Sequence, residues 1–355
     1  MPVQISLDSE LEKRLQKCAQ STSKFPLRSG KYYENYVAIK QRLAEKYYSV
    51  TASALAQQGD RYTKHDIGHV DDVIDTAGRM LGFDTDPAAA AKLLEPYEVF
   101  VLLVAILLHD AGNAMGRVGH EQQAGQILRE VGAAANLSRI EHRIIASIAQ
   151  AHGGVVGNGN KDTITELIGD PKPNIGKVVV RARLLAALLR LADELSENFN
   201  RADEVAIETE GTPAVSMLAN LYCKAINTRI DHTGKSITLT YDVETELLPR
   251  IFKVPNGKGG VDDVMFIDYI ASRLEKCESE RRYCNRFLVG VAGYDRLRAN
   301  LLILDNHRQI DNVAVDLEEA GYPGMTKSVK ALEPRFDGRK LRDEHCLTVQ
   351  KEQAS

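Results

Sequence analysis

The chain has 355 residues, of which 44% are hydrophobic and 26% charged, as expected for a soluble globular protein of one large or two modest domains. The formal net charge of -4 argues against an electrostatic grip on long nucleic acid, although a local basic groove is compatible with it. The five cysteines are scattered and form no CxxC pair, so neither a disulfide framework nor a zinc ribbon is indicated.

The N-terminal part, residues 1–54, is predicted to form helices that pack on the core. Residues 5–20 and 32–48 are the predicted helices, and apolar side chains recur at helical spacing in the second. An amphipathic helix is expected from Asp66 onward, with Thr63 as its N-cap. His65 and His69 are four residues apart and would share a face of that helix, with His69 at the edge of the buried stripe.

The central feature is the stretch Val99–Asp110. Ten apolar residues run from Val99 to Leu108 without a break, too few to span a bilayer, so the run predicts a buried core helix. The run ends in His109 and Asp110. A buried imidazole and carboxylate require partners, and a metal ion or a strong hydrogen-bond network would supply them.

Three more helices are predicted after this one. A glycine-containing loop leads to His120–Val131, and residues 138–151 follow, opened by a Ser138–Glu141 capping box and closed by His152. A Gly/Asn/Asp-rich loop is expected as far as residue 176. The third helix is Val178–Phe199, whose buried face is interrupted by Asp193.

The sequence pattern of residues 205–355 differs from that of the helical part before it and predicts an α+β region. Strands are expected at 222–230 and 236–242, a loop at 249–260, a helix at 261–288, and strands or short helices at 296–305 and 313–317. The charged tail after Gly338 is expected to fray. Because no chemically suggestive cluster appears in this region, we expect it to regulate or assemble the protein.

The polar residues that interrupt the apolar helices form one candidate ligand set. Nitrogen and oxygen donors without thiolate suit one or two divalent ions of Mn, Mg, Fe, Co, Ni or Zn. Glycine-rich loops beside several members leave room for a substrate. The set comprises His69, His109, Asp110, His120, His152 and Asp193.

The order His … His-Asp … His … His … Asp resembles the HD superfamily of metal-dependent phosphohydrolases, over about residues 55–204. The resemblance implies a mainly α protein, an HD-type helical bundle followed by the C-terminal α+β region. His69, His109, Asp110 and Asp193 match its minimal ligand set. His120 and His152 match the additional positions of members with two metals.

The residues that follow the His109-Asp110 pair give information about the substrate. His109-Asp110-x-Gly-Asn113 with a later Gly-His-Glu resembles deoxynucleoside triphosphohydrolases, although Ala114–Arg117 replaces the core of their motif. Asn113 stands where cyclic-dinucleotide phosphodiesterases have lysine. A deoxynucleoside triphosphate is therefore the preferred substrate. A cyclic or linear dinucleotide phosphodiesterase, a single-stranded DNA nuclease and a non-catalytic nucleotide-sensing module stay open as alternatives.

Roles can be assigned to the residues around the ligand set. Bound divalent ions neutralise phosphate oxygens and lower the pKa of water. We expect catalysis to use Asp110 as the central ligand, His120, and Glu121 as a general acid or base. The predicted substrate-binding residues are Arg61, Lys64, His65, Asn113 and Arg117.

The expected partners and location follow from the same residues. The expected ligands are a nucleotide substrate and a nucleotide effector, and the protein is expected to be a homo-oligomer. Single-stranded nucleic acid is a less favoured partner, because the chain is acidic and has no Trp. No membrane partner and a cytoplasmic location are expected, since no signal peptide is visible.

Overall fold

The computed structural model describes residues 3–27, 30–57, 63–256, 259–318 and 327–346. Helices predominate and the sheets lie mainly in the C-terminal part, so the predicted fold class is confirmed. The chain divides into two compact units. The first is built mainly from residues up to Ser196 and includes Cys284–Gly293, and the second mainly from residues after Ser196.

The first unit is helical. Short 3-10 or π turns link several of its helices, and one two-stranded ribbon is formed by β1 (Asn174–Ile175) and β2 (Val178–Val179). Its helices are α1 (Glu10–Ala19), α2 (Tyr32–Leu43), α3 (Ser49–Gln57), α4 (Ile67–Met80), α5 (Pro87–Ala90), α6 (Pro96–Leu108), α7 (Ala124–Val131), α8 (Arg139–Gln150), α9 (Thr163–Leu167) and α10 (Ala182–Glu194).

The centre of this unit is α6, every residue of which is buried. Helices α1, α2, α4, α8 and α10 all pack against it. By length and composition Pro96–Met115 could cross a membrane, but 89% of its most apolar stretch is buried inside the protein. A helix that is apolar on all sides must be shielded from water, and the neighbouring helices shield α6.

Helix starts follow local capping. Asp66 caps α4 and accepts a hydrogen bond from the backbone N–H of His69 at 3.2 Å, so the prediction of Thr63 as the cap was wrong. His65 therefore precedes the helix and does not share its face with His69. The capping box of Ser138 and Glu141 at α8 is confirmed.

Three predicted elements of the first unit needed correction. The long helix begins at Ala182, not at Val178, because β-branched Val178–Val179 pairs with Asn174–Ile175 across a turn that contains Gly176 at φ +61°. It ends at Glu194. The helix predicted from His120 begins with the 3-10 turn His120–Gln123, and the loop after His152 contains α9.

The second unit is α+β. A four-stranded sheet has the order β3-β4-β7-β8, with β4 and β7 parallel and the other pairs antiparallel, and β5 pairs with β6 separately. The strands are β3 (Ile226–Asp231), β4 (Ser236–Glu244), β5 (Ile251–Pro255), β6 (Val261–Met265), β7 (Arg296–Asp305) and β8 (Arg308–Glu318). The helices are α11 (Glu204–Glu208), α12 (Ala214–Ala225), α13 (Phe266–Leu288), α14 (Val329–Leu332) and α15 (Gly338–His345).

Three expectations for this region were wrong. The strand predicted at 222–230 begins only at Ile226, because the residues up to Ala225 belong to α12. The segment predicted as a loop at 249–260 contains β5 and is part of a hairpin, so the helix predicted from 261 starts only at Phe266. The tail after Gly338 forms α15, which is capped by Asp337 and buries Leu341. Residues 347–355 lie outside the described part of the chain.

Candidate metal centre

Five segments of the first unit bring the six predicted ligands together. Helix α4 carries His69, the end of α6 carries His109 and Asp110, and α10 carries Asp193. The 3-10 turn after the glycine-containing loop carries His120, and His152 follows α8. Their donor atoms form two groups of three, each with all of its atoms within 4.8 Å of one another.

The first group, which we call triad A, contains His69, His109 and Asp193. Asp193 Oδ1 lies 3.2 Å from His69 Nε2 and 3.6 Å from His109 Nε2. Both Nε2 atoms are buried and make no hydrogen bond in the described structure. Two buried imidazole nitrogens without hydrogen bonds and a facing carboxylate are a donor set that fits a divalent cation.

The second group, triad B, contains Asp110, His120 and His152. Asp110 Oδ1 lies 3.1 Å from His120 Nε2 and 3.9 Å from His152 Nε2. Its donors have the same chemistry as those of triad A, so it fits the same class of metal ion.

Asp110 connects the two triads through its two oxygens. Oδ1 faces the histidines of triad B, whereas Oδ2 lies 3.7 Å from His69 Nε2 and 3.6 Å from His109 Nε2. A carboxylate with one oxygen toward each group is suited to bridge two ions. The residues present therefore fit two ions as well as one.

Backbone carbonyls orient three of the histidines. The Nδ1 atoms of His109, His120 and His152 lie 2.7, 2.8 and 2.6 Å from the carbonyl oxygens of Ile106, Arg117 and Ala149. Each Nδ1–H donates to the residue three positions earlier. This hydrogen bond points Nε2 toward the triads, where it binds a metal once it has lost its proton.

The electrostatics of the site keep both carboxylates anionic. Burial alone would raise the pKa of Asp110, but His109 and the hydrogen bond from His120 hold it well below its usual range. Burial likewise opposes ionisation of Asp193, and the approach of His109 and His69 outweighs it, so its pKa is also low. Deprotonated carboxylates are the form that binds a cation.

The histidine pKa values move in opposite directions. Burial lowers the pKa of His109, but Asp110 and Asp193 outweigh it and raise the value to about 9. The pKa of His120 rises because its contact with Asp110 exceeds the effect of burial. Burial and the neighbouring His109 lower that of His152 to about 4, so this imidazole is neutral and available as a ligand.

Two glycines allow the loops to close around triad B. A Cβ at Gly112 would lie 2.1 Å from the carbonyl oxygen of His120, so only glycine fits there. A Cβ at Gly154, whose φ is +73°, would lie 2.7 Å from Glu121 Oε1. The Glu121 carboxylate thus lies against the turn after His152, and its Oε2 is 3.4 Å from His120 Nδ1.

The remaining predicted site residues lie at different depths. His65 Nε2 is 3.9 Å from Asp110 Oδ2 and 3.4 Å from an Arg117 guanidinium nitrogen, so both residues border the site. Asn113 is fully buried and its side-chain amide makes no hydrogen bond in the described structure, a position that does not favour direct contact with a substrate. Lys64 directly precedes His65 and is exposed, and Arg61 lies outside the described residues.

The positioning role of the backbone was missed by the sequence interpretation. Gly112 was noted only as a loop residue, yet its missing Cβ admits the His120 carbonyl. A signal was present, since a glycine two residues after a buried His-Asp pair can mark a close backbone approach. The carbonyls of Ile106 and Ala149 carry no signal in the sequence, because every residue has one.

A third group of donor atoms lies in the second unit. It contains Asp311, Glu344 and His345. The Arg335 guanidinium pairs with Asp311 and lies 2.8 Å from a Glu344 oxygen. A cation of the protein already neutralises these carboxylates, so this group does not fit a metal as the two triads do.

Comparison with known proteins agrees with the geometry. A family model described as HD-CE matches residues 59–247, more than half of the chain and including all six ligands of the two triads. No curated protein matches the chain. The ligand order, the two triads and the extent of the match together show that the chain belongs to the HD-CE family.

Proposed function

We propose that this HD-CE protein is a divalent-metal-dependent phosphohydrolase that acts on a nucleotide, preferably a deoxynucleoside triphosphate. The observation that carries the proposal is the position of Asp110, whose two oxygens face two separate histidine-containing triads. Such a centre suits displacement at phosphorus. The HD-type domain and its His/Asp cluster support the hydrolase class, and the substrate is the finer part of the proposal.

The chain's own residues divide the work. Triads A and B would hold the metal, whose positive charge would neutralise phosphate oxygens and favour deprotonation of water. Glu121 lies beside His120 of triad B and against the turn at Gly154, so it is suited to move a proton at its Oε1 or Oε2. His65 borders Asp110 and Arg117 lies against His65, and both would contact the substrate.

The substrate preference depends on cations beside the site. Arg117 lies against His65, and Lys64 precedes that histidine, so two positive charges could bind the outer phosphates of a triphosphate. Position 113 is asparagine, whereas a cyclic-dinucleotide phosphodiesterase is expected to have lysine there. Binding of a nucleotide effector and formation of a homo-oligomer are also proposals, and we assign both roles to the second unit.

A product assay tests the proposal. Purified protein is incubated with Mn, Mg or Co and with the four deoxynucleoside triphosphates, their ribonucleotide counterparts, cyclic and linear dinucleotides and a single-stranded oligonucleotide. Release of inorganic triphosphate from a deoxynucleoside triphosphate, abolished in Asp110→Ala, is the expected result. Turnover of dinucleotides alone would show a phosphodiesterase instead. Nucleotide binding without any turnover would favour the sensing module.

A further inference from the structure

A second feature of the first unit is a basic cavity of about 640 Å³ between α7 and α8. We call it the arginine groove and define it by Arg129, Arg139, His142 and Arg143, with Gln122 and Gln150 at one end. None of its lining residues is acidic. Its volume is in the range of ligand-binding pockets.

Within the described part of the chain, the three arginines of the groove have no partner of opposite charge. Arg129, Arg139 and Arg143 are exposed, and none makes an ion pair with another residue in the described part of the chain. By contrast, Arg181 of the same unit binds Glu98 and Arg286 lies 3.5 Å from Asp162. Unpaired guanidinium groups in a concave surface are suited to bind phosphate.

Small residues form the floor of the groove. A Cβ at Gly125 of α7 would lie 3.5 Å from Ala146 Cβ of α8 and 3.9 Å from an Arg129 guanidinium nitrogen. The two helices therefore approach closely there, and the Arg129 side chain extends along the groove. The close approach of the two helices favours a single strand, because a duplex is itself convex and needs a wider concave surface.

Two residues that line the groove are close to ligands of triad B in the sequence. Gln122 and Gln150 are each two positions from a ligand of that triad, His120 and His152. From Arg139 to Gln150 an α-helix rises about 16 Å. Arg139 is therefore beyond the reach of the phosphates of a single nucleotide whose reacting phosphate lies at the triads.

A mostly apolar cavity adjoins the groove. Arg143 and Ser147 line both cavities. The second has a volume of about 330 Å³ and is otherwise lined mainly by apolar residues such as Ile144, Leu167 and Ile168, together with Asp170. An apolar wall beside a guanidinium can accept a nucleobase while its phosphate stays on the arginine. Inorganic polyphosphate would make no use of this wall.

We propose that the arginine groove binds the phosphodiester backbone of a single nucleic-acid strand whose inner end lies beside triad B. The proposal rests on the proposed function only in that the triads accept a phosphate ester. No Phe, Tyr or Trp among the described residues lines the groove, so binding depends mainly on the backbone charge and not on base stacking. It is therefore expected to be sensitive to salt and tolerant of sequence.

The test measures binding without turnover. A fluorescein-labelled dT 12-mer is titrated with the full chain in EDTA, and anisotropy is followed from 50 to 200 mM KCl. With three phosphate contacts, the logarithm of the association constant should fall with that of salt at a slope of about -2. Arg139→Gln/Arg143→Gln should bind roughly tenfold more weakly, with a slope of about -0.7.

A matched control changes the same charge elsewhere. Arg308 and Arg339 are exposed residues of the second unit, and Arg308→Gln/Arg339→Gln should keep the wild-type slope. Circular dichroism verifies that both double variants are folded. An unchanged slope in the groove variant, or no binding by the wild type, would overturn the proposal.

Competition separates the strand from other anions. Tripolyphosphate, a deoxynucleoside triphosphate or duplex DNA that displaced the labelled strand as well as unlabelled dT 12-mer would also overturn it. Because hydrolysis is absent in EDTA, a negative product assay leaves this result unaffected, and a negative binding assay leaves the proposed reaction unaffected.

Discussion

Gly112 lies directly against the backbone of His120: a Cβ at position 112 would be 2.1 Å from the His120 carbonyl oxygen. We therefore expect Gly112→Ala to push the His120 turn away from Asp110 and to open triad B. That carbonyl belongs to a residue of triad B and not of triad A. Metal analysis of the purified variant should show one ion fewer than the wild type, and the hydrolysis rate should fall at least tenfold.

Gly153→Ala is the matched control for this substitution. A Cβ at Gly153 would meet nothing within 4 Å, although the residue directly follows His152. This variant should keep the metal content and rate of the wild type. If Gly112→Ala behaved in the same way, two ions held by the two triads would be the wrong description.

His109 tests triad A. Its imidazole is fully buried, Nδ1 donates to Ile106, and Nε2 has no hydrogen bond in the described structure. His109→Ala removes one ligand, so we expect bound metal to fall and turnover to drop at least 100-fold. Mass spectrometry of bound metals and the product assay measure the two effects.

His307→Ala provides the comparison. This histidine is 94% exposed and lies 2.8 Å from Glu244 in the second unit. Its loss should change neither metal content nor rate. Thermal unfolding of both variants in EDTA separates loss of a ligand from loss of the fold, and a His109→Ala protein with full metal content would contradict the assignment.

Much of the candidate site could be predicted from the sequence because it lies where apolar helices are interrupted. His109, Asp110 and Asp193 occupy helix ends or faces that are otherwise buried, and such residues require partners. The unbroken apolar run located α6, and the Ser138–Glu141 capping box located α8. The sequence could not predict that the two oxygens of Asp110 face different triads, because this depends on the relative positions of five segments.

Other features depend on competition between local and tertiary preferences. Val178 continues an apolar run and suggested helix, but its pairing with Ile175 made it a strand residue. Ile251 lies in a Pro- and Gly-rich stretch and still forms a hairpin with Met265. The arginine groove was also missed, because its cations come from two helices and no single segment is strongly basic.

Glu121 is expected to move a proton. Its carboxylate lies beside His120 and is held against Gly154, so Glu121→Gln keeps the size of the side chain and removes its basicity. We expect kcat to fall by roughly 10²–10⁴ with metal content and KM nearly unchanged. Steady-state kinetics with metal analysis check this. A kcat within threefold of the wild type would assign Glu121 a structural role only.

The last prediction concerns the buried ion pairs of Lys40. This side chain is fully buried, and its Nζ lies 2.7 Å from Glu12 Oε1 and 2.6 Å from Asp71 Oδ1. Lys40→Met leaves both carboxylates without their cation, so we expect the free energy of unfolding to fall by about 3–5 kcal/mol. Urea denaturation followed by circular dichroism measures it. Adding Glu12→Gln removes one stranded charge and should recover part of the loss. If the single variant lost less than about 1 kcal/mol, the network would contribute no more than a surface pair does.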